Sequence, residues 1–400
     1  NLTISGSTIK QNFVSNDGAG VFSQFGHLQI ESTVLHSNSA ASDGGAVFID
    51  TGIGGGITSA LIRNSTISGN IAGARGAGIY NKNGEVLIEF STITENVASP
   101  ARGGGIANLP GVNTLTQIRS SIVSNNTGND VQMLQGGVNV QSLGFNLIGT
   151  GNGTIVFNQA GDQVGVTDPR LAPLLVNGGL RPSHRLLLDS PAIDAGDPTA
   201  VANMNGVPEF DQRGTPFDRV FDGLQDTKDR IDIGAYELQP TTFIVDSELD
   251  ENDGDISPGN LSLREAIEIA NANPLADTIT FSPQLLGLTI EPGSGVLQPG
   301  TLIDMVITDS VNIVGIGELG LTIDGSFAVD FVEGPERLFT IDDGNAAHLI
   351  EVSISDLTIQ NFPNTFDVGG AIKSTENLTI SRVSTINNGT FGDQNHGGAI

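Results

Sequence analysis

The sequence predicts an all-β fold, a right-handed parallel β-helix in which short strands wind into stacked coils. Two observations predict it, and both are repeats at a spacing of roughly 26 to 32 residues, the signature of a repeat architecture. A phrase of Ser or Thr and a branched residue recurs ahead of Asn12, Asn38, Asn70, Asn96 and Asn125. Gly-rich phrases begin at Gly18, Gly44, Gly76 and Gly103.

The segments around these phrases have the character of strands. They are short, alternating and rich in Ile, Val and Thr, as in LQIESTV, ALIRNSTI, VLIEFSTI and TQIRSSI. None has a helical period long enough for a leucine-rich repeat, and a propeller blade needs about 40–45 residues. A parallel β-helix remains, and parallel crossovers are nearly always right-handed. The same pattern returns at 311–326 and 345–400.

Each repeated residue type has a structural role at a corner of the coil. Asn tolerates the left-handed backbone of a sharp corner, and stacked Asn amides bond along the column. The Gly phrases mark a second corner that needs positive φ or close backbone approach. We therefore expect columns of Asn and of Gly to run along the stack.

The composition excludes several classes of function. The chain has 400 residues, with 17 Lys and Arg against 45 Asp and Glu, and a net charge of −28. This balance argues against nucleic-acid binding, which needs a basic face. Cysteine is absent, so disulfides and thiolate metal sites are excluded. No run of 18 apolar residues predicts a transmembrane helix.

The repeat pattern divides the chain into two stacked units in tandem. Residues 1–239 are interpreted as the C-terminal part of one β-helix unit, with a closing tail at about 141–239. Residues 242–400 would hold the N-terminal cap and first coils of the next unit. The phrase NLTIS occurs at both Asn1 and Asn377, so we expect the chain to be cut from a tandem array.

A short capping helix is predicted at about 262–272. Ser262 and Glu265 form a capping box, and Leu263, Ala266, Ile267 and Ala270 make one apolar stripe. A β-helix has open ends, so we expect this helix to cover the first coil of its unit.

Head and tail motifs carry a resemblance to a known family. NLSLREAIEIAN resembles the head of bacterial right-handed parallel β-helix surface proteins, and SPAIDAGD, DQRG and DIGAYE resemble their closing tail. The coils are similar to those of the pectin-lyase-like superfamily and of polymorphic outer-membrane proteins. The resemblance implies a secreted or cell-surface, adhesin-like or structural repeat module, whose partner would be an extracellular glycan or a host or neighbouring cell surface.

The alternative function is a polysaccharide lyase or glycoside hydrolase of the pectin-lyase-like fold. Fold-level likeness does not establish an activity, and no catalytic residue is assigned. Asp17 and Asp43 would stack roughly 4.8 Å apart, near the separation of a retaining glycosidase pair. The simpler interpretation is two solvated turn residues beside an ion pair of Asp43 with Arg75.

An aromatic column is the candidate carbohydrate-binding feature. Phe22, Phe48 and Tyr80 follow the same Gly corner in successive coils. Alternation along a strand places only one residue of each neighbouring pair inside. If the rings point outward, sugar rings could stack on them; if inward, they belong to the core.

Calcium is the candidate cofactor. The stretch DSELDENDGD offers closely spaced oxygen ligands around a Gly, as a hard cation prefers; the candidate ligands are Asp246, Asp250, Asn252, Asp253 and Asp255. The alternative is a solvated acidic loop. A second acidic cluster, interleaved with Arg219 and Arg230, contains Asp218, Asp222, Asp226, Asp229 and Asp232.

Two further expectations concern single residues. The five histidines, at 27, 36, 184, 348 and 396, have no metal-ligand spacing and are expected at the surface. In the tail, a carboxylate of Asp194 or Asp232 is expected to accept backbone N–H groups or to pair with Arg213. Such a latch would close the tail.

Overall fold

The computed structural model of the chain is almost entirely built of parallel strands. The residues it describes are 1–52, 58–111, 113–137, 139–222, 230–256, 258–273, 275–295, 297, 304–318, 320–326, 337–346, 348–364 and 370–390. Contacts divide the chain into two compact units, Asn1–Gln239 and Pro240–Ile400.

In the first unit, four sheets of parallel strands run along the stack of coils. Sheet A contains Leu2–Ser5, Gly26–Glu31, Thr58–Arg63, Glu85–Glu89, Leu115–Arg119 and Val140–Ser142. Sheet B contains Thr8–Lys10, Val34–His36, Thr66–Ser68, Thr92–Thr94, Ile122–Val123, Leu147–Ile148 and Gln163–Val164. Sheet C contains Phe13–Val14, Ser39–Ala40 and Ile71–Ala72. Sheet D contains Val21–Gln24, Val47–Asp50, Ile79–Asn81, Ile106–Asn108 and Val131–Met133.

The coils enclose a core of branched side chains stacked in register. In sheet A, Ile30 pairs with Ile62, Ile62 with Ile88, and Ile88 with Ile118. All four are fully buried, because alternation along each strand turns every second residue inward. The predicted parallel β-helix is confirmed; its right hand stays a prediction.

The Asn column runs inside the corner after sheet B. The amides of Asn12, Asn38, Asn70 and Asn96 each donate from Nδ2 to Oδ1 of the next Asn at 2.8–2.9 Å, which confirms the predicted ladder. In the coil that follows Asn96 the ladder residue is Asn126 and not Asn125. Asn125 instead takes the left-handed corner at φ 60°, one residue earlier, so that expectation was wrong by one position.

A hydroxyl ladder, which the sequence analysis did not predict, runs beside the Asn ladder. The backbone N–H groups of Ser7, Thr33, Ser65 and Ser91 donate to the side-chain oxygens of Thr33, Ser65, Ser91 and Ser121. Each of these residues directly precedes the sheet B strand of its coil, and all from Thr33 onward are buried. Ser or Thr therefore recurs at this position because its side-chain oxygen holds consecutive coils together.

The Gly column is also confirmed. Gly18, Gly44, Gly76 and Gly103 have φ between 60° and 73°, a conformation that residues with a Cβ rarely adopt. A neighbouring glycine, Gly20, is needed for space, because a Cβ there would lie 2.5 Å from the Ala46 carbonyl oxygen.

The closing tail begins later than predicted. Parallel pairing continues through Val140–Ser142 and Leu147–Ile148 to Gln163–Val164, so three strands of the stack lie in the region assigned to the tail. Short 3₁₀ segments at Leu134–Gly136 and Asn152–Val156 accompany them. Beyond them the tail has an antiparallel pair, Leu175–Val176 with Pro182–Ser183.

The second unit has the same construction. Its largest sheet contains Thr242–Val245, Asp277–Phe281, Thr289–Ile290, Val311–Val314, Thr322–Asp324, Glu351–Gln360 and Asn377–Ile386. Smaller sheets contain Met305–Ile307, Phe339–Ile341 and Ile372–Ser374, and the pair Pro363–Asn364 with Gly389–Thr390. A 3₁₀ turn covers Pro283–Leu285. The Gly phrases at 369 and 397 lie outside the described residues.

The predicted capping helix spans Leu263–Asn271. Ser262 and Glu265 form the capping box in both directions, and the stripe of Leu263, Ala266, Ile267 and Ala270 packs into the core of the unit. The interpretation of the two units as pieces of a tandem array stays a prediction.

Candidate functional site

A ladder of alternating charges runs along the outer face of sheet A. Its residues are Glu31, Arg63, Glu89 and Arg119, each the last residue of a strand in successive coils. Arg63 donates from Nη2 to Glu31 Oε1 at 2.8 Å, and Arg119 from Nη2 to Glu89 Oε1 at 2.6 Å. Burial raises the pKa of Glu89 although Arg119 and Arg63 oppose the shift.

The tail covers the outer face of sheet B. Ser68 Oγ lies 2.8 Å from Nε2 of His184, whose Nδ1 lies 2.8 Å from the Ala172 carbonyl oxygen. Thr92 Oγ1 accepts from the Ala235 N–H at 3.0 Å, and Thr66 donates to the Gln212 side chain. The sheet hydroxyls are buried in these contacts, so the tail occupies this face.

A buried charge network holds the tail itself together. Arg213 donates from Nε and Nη2 to Asp211 Oδ2 at 2.9 and 2.7 Å. Its guanidinium lies between two rings, with the central carbon 3.7 Å from the Phe217 centroid and 3.9 Å from that of Tyr236. Planar stacking of this kind is specific to arginine. The predicted pairing of Arg213 with Asp194 or Asp232 was therefore wrong, because Asp211 holds it.

The carboxylate of Asp232 accepts backbone N–H groups, as predicted. Asp194 N–H donates to Oδ1 at 2.7 Å and Leu238 N–H to Oδ2 at 2.6 Å. Burial raises the pKa of Asp232 to about 7, and burial together with Asp232 raises the pKa of Glu237 well above its usual value. A carboxylate loses hydration when it is buried, so its neutral form is favoured.

Between the tail and the coils lies an open cleft of about 390 Å³, in the lower part of the range of small-molecule sites. Two consecutive coils line one wall with Glu31, Ser32, Arg63 and Asn64. The tail lines the other with Asn203, Gly206, Val207, Pro208, Glu209, Phe210, Asp211 and Gly214. The cleft thus joins charged groups, amides and apolar side chains at one place.

Asn64 fixes the junction between the two walls. It sits at a corner with φ 52°, and its Nδ2 donates to Ser32 Oγ at 3.2 Å and to the Phe210 carbonyl oxygen at 3.1 Å. Its Oδ1 is buried and has no hydrogen-bond partner among the described residues. Sequence reasoning missed this cleft, since coil and tail residues that line it are distant in the chain.

The predicted aromatic column exists, but most of it is covered. The rings of Phe22 and Phe48 stack with centroids 5.0 Å apart, and Tyr80 meets Phe48 edge-on at 5.2 Å. Phe48 and Tyr80 are buried in a cluster outside the main core, with Ala107 and Leu134. Phe22 alone of the three is exposed, at 48%. Sugar stacking on this column stays a prediction, and only the ring of Phe22 is open to it.

The candidate calcium ligands are largely engaged with protein groups. Asp250 is buried and receives Nε and Nη2 of Arg264 at 2.7 and 2.8 Å. Asp246 accepts the Gly259 and Leu261 N–H groups, Asp253 accepts the Asp255 N–H, and Asn252 donates to Glu268. Asp255 lies near Asn260 Nδ2. Calcium binding at this loop stays a prediction, and these contacts favour the alternative of an acidic loop without metal.

Among the described residues, one acidic group has the spacing to hold a metal ion, and it lies outside the predicted calcium loop. Oxygen atoms of Asp342, Asp343 and Glu376 lie within 4.8 Å of one another. His348 Nδ1 lies 2.8 Å from Asp343 Oδ2, and this contact raises the pKa of His348.

In the second predicted acidic cluster, Asp226 and Asp229 lie outside the described residues.

The glycosidase-like pair has a different role in the structure. Asp43 receives Arg75 Nε and Nη2 at 3.0 and 2.8 Å, so the expected ion pair is confirmed. Asp17 Oδ1 accepts the Asp43 backbone N–H at 3.1 Å. The carboxylate of Asp43 is therefore held in an ion pair with Arg75, and that of Asp17 accepts a backbone hydrogen bond at the Gly corner.

One expectation for the histidines was wrong. His184 is a tail residue that is buried against sheet B, and burial lowers its pKa. His27 and His348 are exposed and His36 is half-buried, while His396 lies outside the described residues. The position of His184 in the tail, away from any coil phrase, gave no signal of burial.

Comparison with known proteins gives a structural likeness and no sequence relative. No family model and no curated protein matches the chain. A solved structure of AlyGC, a PL6 family alginate lyase, is similar with a TM-score of 0.24 and 12% sequence identity. The likeness covers 97% of this chain and 49% of that chain, so the chain spans about half the length of that protein.

Within the part of the chain that the structure describes, no helix has the length and apolar character needed to cross a bilayer.

Proposed function

We propose that the chain is a non-catalytic, carbohydrate-binding β-helix module that is displayed at a cell surface. The observation that carries the proposal is the cleft between coils and tail, which combines apolar side chains with amides and charges. Sugars present hydroxyls and C–H faces together, and such mixed linings suit them. The surface location rests on the resemblance of the head and tail motifs.

The state of the charged groups supports binding in preference to catalysis. A catalytic acid or base must be within reach of a substrate proton. Here Glu31 and Glu89 are each held by an arginine of the neighbouring coil. The hydroxyls of sheet B are covered by the tail. The two ladder carboxylates are therefore held in ion pairs, which suits recognition better than acid or base catalysis.

A polysaccharide panel tests the proposal. The chain is run in affinity gels containing neutral, amino and acidic polysaccharides, and the same polysaccharides are assayed for unsaturated products and reducing ends. We expect retardation by at least one polysaccharide and no release of products. Product release would establish the lyase or hydrolase alternative, and mobility unchanged in every gel would remove carbohydrate binding.

Variants locate the binding site. Phe210→Ala removes an apolar side chain that lines the cleft and should weaken retardation. Phe22→Ala removes the exposed ring of the aromatic column and should leave it unchanged. The reverse result would move the site to the column. Melting curves of both variants show whether a loss of binding reflects a loss of folding.

A further inference from the structure

The charges of the cleft are unbalanced toward carboxylates. Glu31, Glu209 and Asp211 line it together with one guanidinium, that of Arg63. Arg63 is committed, because both its Nε and its Nη2 donate to Glu31 Oε1 at 3.0 and 2.8 Å. Gln29 Nε2 donates to the other oxygen of Glu31 at 2.9 Å. This pair is thus close to neutral toward a ligand.

Asp211 is neutralised from behind the cleft. Its carboxylate receives the Arg213 side chain and two backbone N–H groups, those of Arg213 and Glu237. Glu209 differs from both other acids. It is exposed, and among the described residues no hydrogen bond or ion pair engages its carboxylate. Among the described residues, Glu209 is therefore the one lining carboxylate without a compensating partner.

A second observation points to a ligand that donates hydrogen bonds. Asn64 is 2% exposed and lines the cleft, and no described residue donates a hydrogen bond to its Oδ1. Its orientation is fixed, because Nδ2 must face the Phe210 carbonyl oxygen. A buried acceptor without a partner is destabilising, because it has lost its hydrogen bonds to water. A donor that reached it through a small adjustment of the lining would recover part of that cost.

The electrostatic field of the whole chain is negative, like the charge of Glu209 in the cleft. A net charge of −28 repels polyanions and attracts cations over distances of about a Debye length. An acidic glycan would thus approach an acidic protein and meet a free carboxylate in the cleft. A glycan with ammonium groups would be attracted by the net charge of the chain and, in the cleft, by the carboxylate of Glu209.

We propose that the cleft binds amino-sugar oligomers with free ammonium groups and discriminates against uronic-acid oligomers. This inference rests on the proposed function and names the ligand class of the same cleft. Glu209 would face the ammonium group, and Asn64 would accept from a hydroxyl or amine of the same segment. Glu209 is then the residue that sets specificity by charge.

Calorimetric titration tests the proposal with three oligomers of equal length: glucosamine, N-acetylglucosamine and galacturonate. The pH is kept below the pKa of the sugar amine. We expect the glucosamine oligomer to bind most tightly and the galacturonate oligomer most weakly. Glu209→Gln should weaken glucosamine binding by about threefold or more and leave N-acetylglucosamine binding unchanged.

Glu85→Gln is the matched control, because Glu85 is an exposed carboxylate of sheet A that does not line the cleft. If both variants bind glucosamine oligomers as the parent does, the attraction is a general effect of net charge and the inference is overturned. Equal or tighter binding of galacturonate also overturns it, yet carbohydrate binding stands. Failure of all three oligomers and of the polysaccharide panel removes the proposed function itself.

Discussion

Asn70 donates from Nδ2 to Asn96 Oδ1 at 2.8 Å, although 26 residues separate them in the chain. The Asn70 N–H donates to the same oxygen at 3.0 Å, and Oδ1 of Asn70 accepts in turn from Asn38. Each Asn therefore joins three coils. The first unit depends on such columns, because each coil contacts mainly its neighbours.

Asn70→Ala should destabilise the first unit strongly. The change leaves buried backbone groups of Asn38 and Leu35 without their partners, and each buried unsatisfied group costs about 1–3 kcal/mol. We expect the melting temperature to fall by several degrees. Asn16→Ala is the control, since Asn16 is exposed; equal effects of the two changes would contradict the ladder's role.

Arg213→Ala should release the tail. Breaking a buried ion pair by removing one partner costs about 3–5 kcal/mol, and here the stacking with Phe217 and Tyr236 is lost as well. Hydrogen exchange of the tail should become faster before the coils open. Arg170→Ala removes an exposed pair with Asp189 and should change little. Parent-like protection of the tail in Arg213→Ala would count against the latch.

The buried carboxylates predict a pH dependence of tail stability. Burial raises the pKa of Asp232 to about 7, so the stability that Asp232 contributes is present below pH about 4 and is lost as the pH rises through about 7. The pKa of Glu237 is raised as well, so its contribution also falls as the pH rises. Glu237→Gln keeps an acceptor for the Asp232 N–H and cannot ionise. The difference in melting temperature between this variant and the parent should grow in favour of the variant from pH 5 to pH 8. A constant difference would show that Glu237 does not titrate there.

Calcium removal should leave the melting temperature unchanged. Asp250 is held by Arg264, and Asp246 caps two backbone N–H groups, so the loop has few free ligands of the six to eight that calcium takes. Melting curves with and without a chelator check this. A lower melting temperature with chelator, restored by added calcium, would instead establish the calcium site.

Much of the fold could be predicted because it is local and periodic. The Asn and Gly columns follow from phrases that recur once in every coil, so equivalent residues stack on one another. The capping box at Ser262 is a four-residue pattern. The shift to Asn126 shows the limit of this approach. Ser120 and Ser121 both fit the phrase, and only the hydroxyl ladder, which selects Ser121, decides between them.

The site could be predicted in part only. The aromatic column was predicted, whereas the charge ladder was not, although Glu31, Arg63, Glu89 and Arg119 end equivalent strands with alternating sign. The cleft was not, because it depends on how the tail docks. Asn64 meets Phe210 across 146 residues, and no repeat or spacing in the sequence records that contact. Covering of Phe48 and Tyr80 likewise depends on their neighbours in other coils.

A crystal structure of the chain with the tightest-binding oligosaccharide tests the central claim most directly. The account predicts an intact oligosaccharide in the cleft, against Arg63 and Glu209, with the tail still covering sheet B. An oligosaccharide bound at the Phe22 end of the aromatic column, or a cleaved product in the cleft, would contradict it.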